Sequence, residues 1–259
     1  MTRQHLVNIC ISLAAASPLT GCITEDLHEC PNEYELKLVF DRNMLFADAF
    51  ASQVKSVDIK VFDSTTGTEV FHHTENGDAL GTEGYKVTLP LPPGTYNILC
   101  WGGMDEGDSF VYANPAAEIL EHHDVRLDTD NDISLERLNN LYHGLLKDVT
   151  FVDNNDTGSM SPQTATIYLT KDTNRINVTL HNLDGTEMSQ SDFIFTISSH
   201  NAKMEYDNTL NTTREVTYYP WSVSPISSDT GEPGDFVQSA LAAEFSTGTV
   251  SYTHLTLPT

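Results

Sequence analysis

From Tyr34 to Phe40 the chain alternates, with Tyr34, Leu36, Leu38 and Phe40 set against Glu35, Lys37 and Val39. Val57, Ile59 and Val61 alternate with Asp58 and Lys60, and Tyr85, Val87 and Leu89 repeat the pattern. A period of two bounded by Gly, Pro and Asn predicts half-buried strands. Pro92, Pro93 and Gly94 then supply fixed φ values and a permissive residue, turning the chain into a strand through Tyr96, Ile98 and Cys100. A short helix is predicted between Phe46 and Val54. VRLDTDND (125–132) is polar and acidic, and ISLERLNNLYHG (133–144) reads as a helical turn or two. Ala165, Ile167 and Leu169 face Ile176, Val178 and Leu180 across KDTN as a strand pair, and DFIFTIS (192–198) is a further strand. Residues 152–163, VDNNDTGSMSPQ, lack apolar periodicity and mark a domain boundary or a long hairpin loop. The prediction is an all-β chain of two tandem, mostly antiparallel β-sandwiches, residues 33–155 and 160–259.

The first residues follow another pattern. Met1 to His5 carries Arg3 and no acid, and Leu6 to Leu19 is a short apolar run, the anatomy of a secretory leader over residues 1–21. It is short of the roughly 20 apolar residues a membrane-spanning helix needs. Leu19-Thr20-Gly21-Cys22 resembles the lipobox of bacterial lipoproteins, in which the leader is removed before the cysteine and the sulfur of that residue, here Cys22, takes the lipid. An ordinary cleaved leader and an uncleaved apolar terminus are the blander alternatives. Residues 22–32 would then be an acidic tether, whose TEDLHE resembles the surface-export signal of some lipoproteins. More than one acyl chain makes such an anchor stable, at roughly 0.8 kcal/mol per buried methylene. At the other end, SYTHLTLPT within 250–259 resembles a translated sequencing adapter, which would leave the second sandwich incomplete; a final strand is the other reading.

Composition narrows the partners. The formal charge is −24, with 37 acidic against 13 basic residues, which argues against nucleic acid and anionic headgroups as electrostatic partners. A hydrophobic content of 39% excludes wholesale disorder. With Cys22 assigned to lipid, Cys30 and Cys100 are either a disulfide in an oxidising compartment or two free thiols.

Catalytic chemistry is absent from the pattern: no GxSxG, SxxK or HExxH occurs, so no catalytic residue, metal ligand or cofactor is assigned. His72-His73 and His122-His123 are adjacent pairs, which in a strand face opposite ways. DTDND (128–132) and DNND (153–156) gather oxygen ligands without a full calcium loop. Trp101-Gly102-Gly103 is the most distinctive local piece, a structural plug or a sugar-stacking platform.

Taken in order, CITEDLHECP, LVFDRNMLFADAF, VKSVDIKVFD, GYKVTLPLPPGTYNILCWGG and TIYLTKDTNRINVTL resemble the FimB/Mfa-type fimbrial anchor lipoproteins, the fimbrillin-associated minor subunits, over about residues 20–185. The resemblance implies two transthyretin-like β-sandwich domains and no enzymatic activity. It also implies attachment to the outer membrane through lipidated Cys22, at the base of a fimbria on the cell surface. Binding to a fimbrillin stalk subunit and limitation of fimbrial growth follow from the same likeness. Trp101, Gly102 and Gly103 match a family landmark of structural character. The alternatives are a tip or accessory subunit of the same fold, or a glycan-binding surface lipoprotein using Trp101, Tyr218 or Tyr219 as platforms.

Overall fold

A computed structural model describes residues 32–44, 46–154, 161–182, 188–229, 236–249 and 254–256. The first half carries β1 (Tyr34–Val39), helix α1 (Phe50–Gln53), β2 (Ser56–Asp63), β3 (Glu69–Asn76), β4 (Lys86–Leu89) and β5 (Gly94–Gly102). Short strands β6 (Phe110–Tyr112), β7 (Val125–Leu127) and β8 (Ile133–Ser134) lead into the long β9 (Tyr142–Phe151). Then follow β10 (Gln163–Tyr168), β11 (Thr170–Lys171), β12 (Thr173–His181), β13 (Thr196–Ser199), β14 (Lys203–Met204) and β15 (Leu210–Asn211). The chain closes with β16 (Val216–Tyr218), β17 (Ser222–Asp229), β18 (Phe236–Gly248) and β19 (His254–Thr256). The fold is all-β, as the periodicity predicts.

The described residues form five sheets, ordered β10-β1-β4, β11-β9-β5-β2-β3, β12-β18-β17, β19-β13-β16-β8 and β15-β14-β7-β6. Pairing is antiparallel except between β1 and β10 and between β8 and β16. The alternation in β1 has the predicted consequence: Tyr34, Leu36 and Leu38 point into a hydrophobic cluster with Val57, Ile59 and Val61 of β2. The opposite face of the same five-stranded sheet is also covered. Phe62, Leu99 and Trp101 enter a second cluster with Phe195, Ile197, Val216, Tyr218 and Phe245. β5 therefore has core on both sides, which is why Ile98 and Cys100 are as buried as Leu99 and Trp101. Residues 32–259 group by contact into one compact unit.

The FADAF motif gains a local meaning. The Asp48 carboxylate accepts hydrogen bonds from the backbone N–H of Phe40 and of Phe50, both at 3.0 Å. It thereby ties the end of β1 to the start of α1, whose Phe50 is buried within the predicted helical segment.

The structure corrects or refines several local expectations. The helical turns predicted over 133–144 are absent; the segment makes β8 and then enters β9. Its Asn139 and Asn140 favour turns over helix, and Gly144 must be small, because a Cβ there would lie 2.8 Å from Ile167 and Leu169 side chains. The acidic VRLDTDND begins with strand β7, whose Val125 and Leu127 are buried. The strand pair across KDTN is not a hairpin: β10 joins β1 and β12 joins β18. Between them β11 pairs with β9, so the chain passes to another sheet instead of doubling back. Hydrogen bonding also crosses the 152–163 segment, since β7 pairs with β14 and β8 with β16. DFIFTIS yields strand only from Thr196.

Gly103 gives a clear test. Its φ is +87°, and an added Cβ would sit 1.8 Å from the Asn140 carbonyl oxygen. Gly103→Ala is expected to lower stability by about 3 kcal/mol or more in urea denaturation. Gly84→Ala, at φ +73° but in open space, should cost only about 1 kcal/mol.

Candidate assembly site

Trp101 is fully buried, its indole Nε1 donating to the His123 carbonyl at 3.2 Å. His143 meets its ring edge-on with centroids 4.6 Å apart. Gly102 lies where a Cβ would be 3.2 Å from the Ser56 carbonyl oxygen, and the N–H of Gly103 donates to that same oxygen at 3.0 Å. The Trp-Gly-Gly piece thus closes the end of β5 against β2 and β9. Trp101 and Tyr218 are both inside the second cluster, so neither can serve as a sugar-stacking platform; Tyr219 is half-buried. Cys100 is a buried free thiol whose pKa burial pushes upward. Cys22 and Cys30 lie outside the described residues, as does part of DNND.

Two polar networks escape any reading of alternation. Asp58 on β2 accepts a hydrogen bond from the Tyr112 hydroxyl at 2.7 Å and meets His72 Nε2 at 2.6 Å. Beside it Lys60 pairs with Glu69 at 3.1 Å. His123, which the sequence offers only as one of an adjacent pair, is buried with Nε2 3.9 Å from the same Glu69 oxygen. Burial and the nearby Lys60 charge hold its pKa below the ordinary histidine value. Burial and the Asp58 charge push the Tyr112 hydroxyl well up.

The second network fastens the end of β18. Tyr218 donates to Asn201 Oδ1 at 2.8 Å, and Asn201 Nδ2 donates to the Thr249 carbonyl at 3.0 Å. Thr249 Oγ1 donates to the Asp172 side chain at 3.3 Å, and Asn208 Nδ2 donates to the same carboxylate oxygen at 3.0 Å. Asp172 is 1% exposed. Burial pushes its carboxyl up to about 7, against the opposing pull of those two hydrogen bonds.

At the surface, β10 is an edge strand. Near its end Met44 and Phe46 are 95% and 90% exposed, and Tyr168 joins them around an open cavity of about 800 Å³. Phe46 has φ +51°, an uncommon conformation for a bulky residue. Among the described residues no three His, Cys, Asp or Glu side chains converge to hold a metal ion, and no helix is long and apolar enough to cross a membrane.

The family described as fimbrillin-A associated anchor proteins Mfa1 and Mfa2 matches residues 27–253. The chain belongs to the Mfa1/Mfa2 anchor family. Solved structures agree with that membership. A protein from Bacteroides thetaiotaomicron assigned as an adhesin is 28% identical, with a TM-score of 0.73 over 88% of this chain and 76% of that one. A second protein of that species, assigned to the polysaccharide-binding proteins, is 26% identical, with a TM-score of 0.70 over 87% and 75%. The fimbrial anchor protein Mfa2 from Porphyromonas gingivalis shares the fold at 17% identity, with a TM-score of 0.64 over 88% of this chain and 77% of that one. No curated protein matches the chain. As an Mfa1/Mfa2-family member it is a fimbria-associated protein of the cell surface that works with other fimbrial subunits.

Asp172 gives this fold a pH signature. Unfolded, its carboxyl titrates near the ordinary value of about 4; folded, it titrates at about 7. The native state therefore keeps a proton that the unfolded state releases, so this contribution to stability falls as pH rises through that window. Asp172→Asn lacks the titration. Relative to the variant, wild type should lose on the order of a few kcal/mol between pH 4.5 and 7.5 in urea denaturation. A constant difference across that range would contradict the assignment.

Proposed function

We propose that this Mfa1/Mfa2-family protein is the lipid-anchored base of a fimbria, fastened to the outer membrane through Cys22 and bound to a stalk subunit whose elongation it ends. The observation that carries the reading is the family match beginning at residue 27, just beyond a lipobox-like Leu19-Thr20-Gly21-Cys22. Its two hydrophobic clusters support a division into two sandwich domains of transthyretin-like type, with β5 shared between them. The role needs no catalysis. It needs a resistant fold, a greasy foot and a surface for one neighbour.

Sheet edges supply backbone groups with which an extended segment of a neighbour can pair. The β10 edge, bordered by Met44, Phe46 and Tyr168, offers both such groups and exposed apolar side chains. An anchor that offers a free edge to a neighbour and is itself held by acyl chains can accept one subunit and no more.

Cys22→Ala tests the proposal in cells. The variant should be released into the medium, carrying fimbriae with it, and the remaining fibres should lose their length control; electron microscopy and fractionation measure both. Fibres that stay attached at wild-type length would overturn the anchoring role.

A further inference from the structure

We propose that Asp172 and Asn208 are joined by a two-way hydrogen bond through a carboxyl proton, a clasp that holds the 205–209 turn on the β11–β12 junction and opens when the proton leaves. One half of the clasp is explicit: Asn208 Nδ2 donates to Asp172 Oδ1 at 3.0 Å. The other two oxygens of the pair, Asp172 Oδ2 and Asn208 Oδ1, are both buried, and neither has a donor among the described residues.

Two acceptors left over on side chains that are already joined call for one proton between them. A buried acceptor without a donor is costly, and here there are two. A protonated carboxyl is itself a donor. Oδ2–H then gives to the amide oxygen while the amide gives to Oδ1, and both orphans are satisfied at once. The backbone holds each side chain in place for this. The Asp172 N–H donates to the Leu141 carbonyl at 2.8 Å, and Thr249 Oγ1 donates to the Asp172 carbonyl at 3.1 Å. Asn208 sits at φ +69°, a left-handed conformation that asparagine tolerates, with its N–H donating to the Glu205 carbonyl at 2.9 Å.

The titratable groups on the elements packed about the pair are engaged elsewhere. His143 on β9 meets the Tyr206 carbonyl, Asp207 accepts from Thr209, Glu205 accepts from Asn211, and Tyr218 on β16 donates to Asn201. The nearby cations Arg137, Lys171 and Arg175 do not set the Asp172 titration: burial raises it to about 7, with Asn208 and Thr249 pulling the other way. Losing the proton leaves a buried charge in the clasp, which favours opening. In the open turn the carboxylate meets water and titrates near the ordinary value of about 4. Opening therefore becomes easier by about tenfold per pH unit between those two values and levels off above the upper one. The turn that opens carries Tyr206, whose carbonyl lies 2.8 Å from His143 Nε2 and whose ring lies 5.2 Å from the Lys147 ammonium. The clasp is independent of the anchoring role.

The test is amide hydrogen exchange of the 205–209 turn in the full chain, as protection corrected for intrinsic exchange. In wild type, protection should fall at least tenfold between about pH 5 and pH 7.5 and stay level above. Asp172→Asn replaces the carboxyl proton with an amide N–H, so its protection should not change over that range, although His143 is still present. Exchanging the two groups, with Asp172→Asn and Asn208→Asp together, should restore the fall. Should the variants fail to fold, infrared spectroscopy of wild type with isotope-labelled aspartate carries the comparison. A protonated aspartate band should persist at pH 6 and be lost by pH 8. The proposal is overturned if wild-type protection does not fall, or if Asp172→Asn falls as much as wild type. It is equally overturned if no protonated aspartate is present at pH 6, the two oxygens then sharing an internal water only.

Discussion

Burial of one strand from two sides organises this protein. β5 lies between β2 and β9, and its Ile98 and Cys100 enter one hydrophobic cluster while Leu99 and Trp101 enter the other. A sheet with a core on each face must carry apolar side chains at successive positions, so ILCW replaces the alternation seen in β1. Each fully buried large side chain contributes roughly 1.5–3 kcal/mol, and here those contributions couple two clusters through one ladder. Gly102 and Gly103 follow because β5 has to end where β2 and β9 leave no room for a side chain.

The same doubled burial explains the polar networks. Asp58 and Lys60 lie on the β2 face that meets the second layer, so charges that would be solvated on an ordinary half-exposed strand must find partners. Tyr112, His72 and Glu69 provide them. Asp172 is the extreme case, almost wholly enclosed where β11 hands the chain to β12. It holds Thr249 and Asn208 from two remote parts of the sequence. Removing one member of such a set leaves the others buried without partners, which costs more than the bond itself.

Much of this was legible from the residues. Alternation located β1, β2, β4 and β12, Pro92-Pro93-Gly94 located the turn into β5, and the ordered motifs pointed to the Mfa1/Mfa2 family. The short helix fell inside its predicted window. What failed were statements about partners. Ala165–Leu169 looks like half of a hairpin because its neighbours supply a turn, yet its ladder is to β1, far back in the chain. ISLERLNNLYHG has helical spacing but is pinned as strand by β16 on one side and by the close packing at Gly144 on the other. His123 and His143 carry no sign of burial in their own surroundings; the residues that enclose them are distant in sequence.

One pairing has a mechanical meaning. β1 begins just past the residues that would tether the chain, and it runs parallel to β10 over six residues while pairing antiparallel with β4 on its other side. A pull along that strand axis loads both ladders in shear, so many hydrogen bonds must yield together. Peeling from a free end would break them one at a time. A strand clamped in this way is suited to resist a pull on the chain that precedes it.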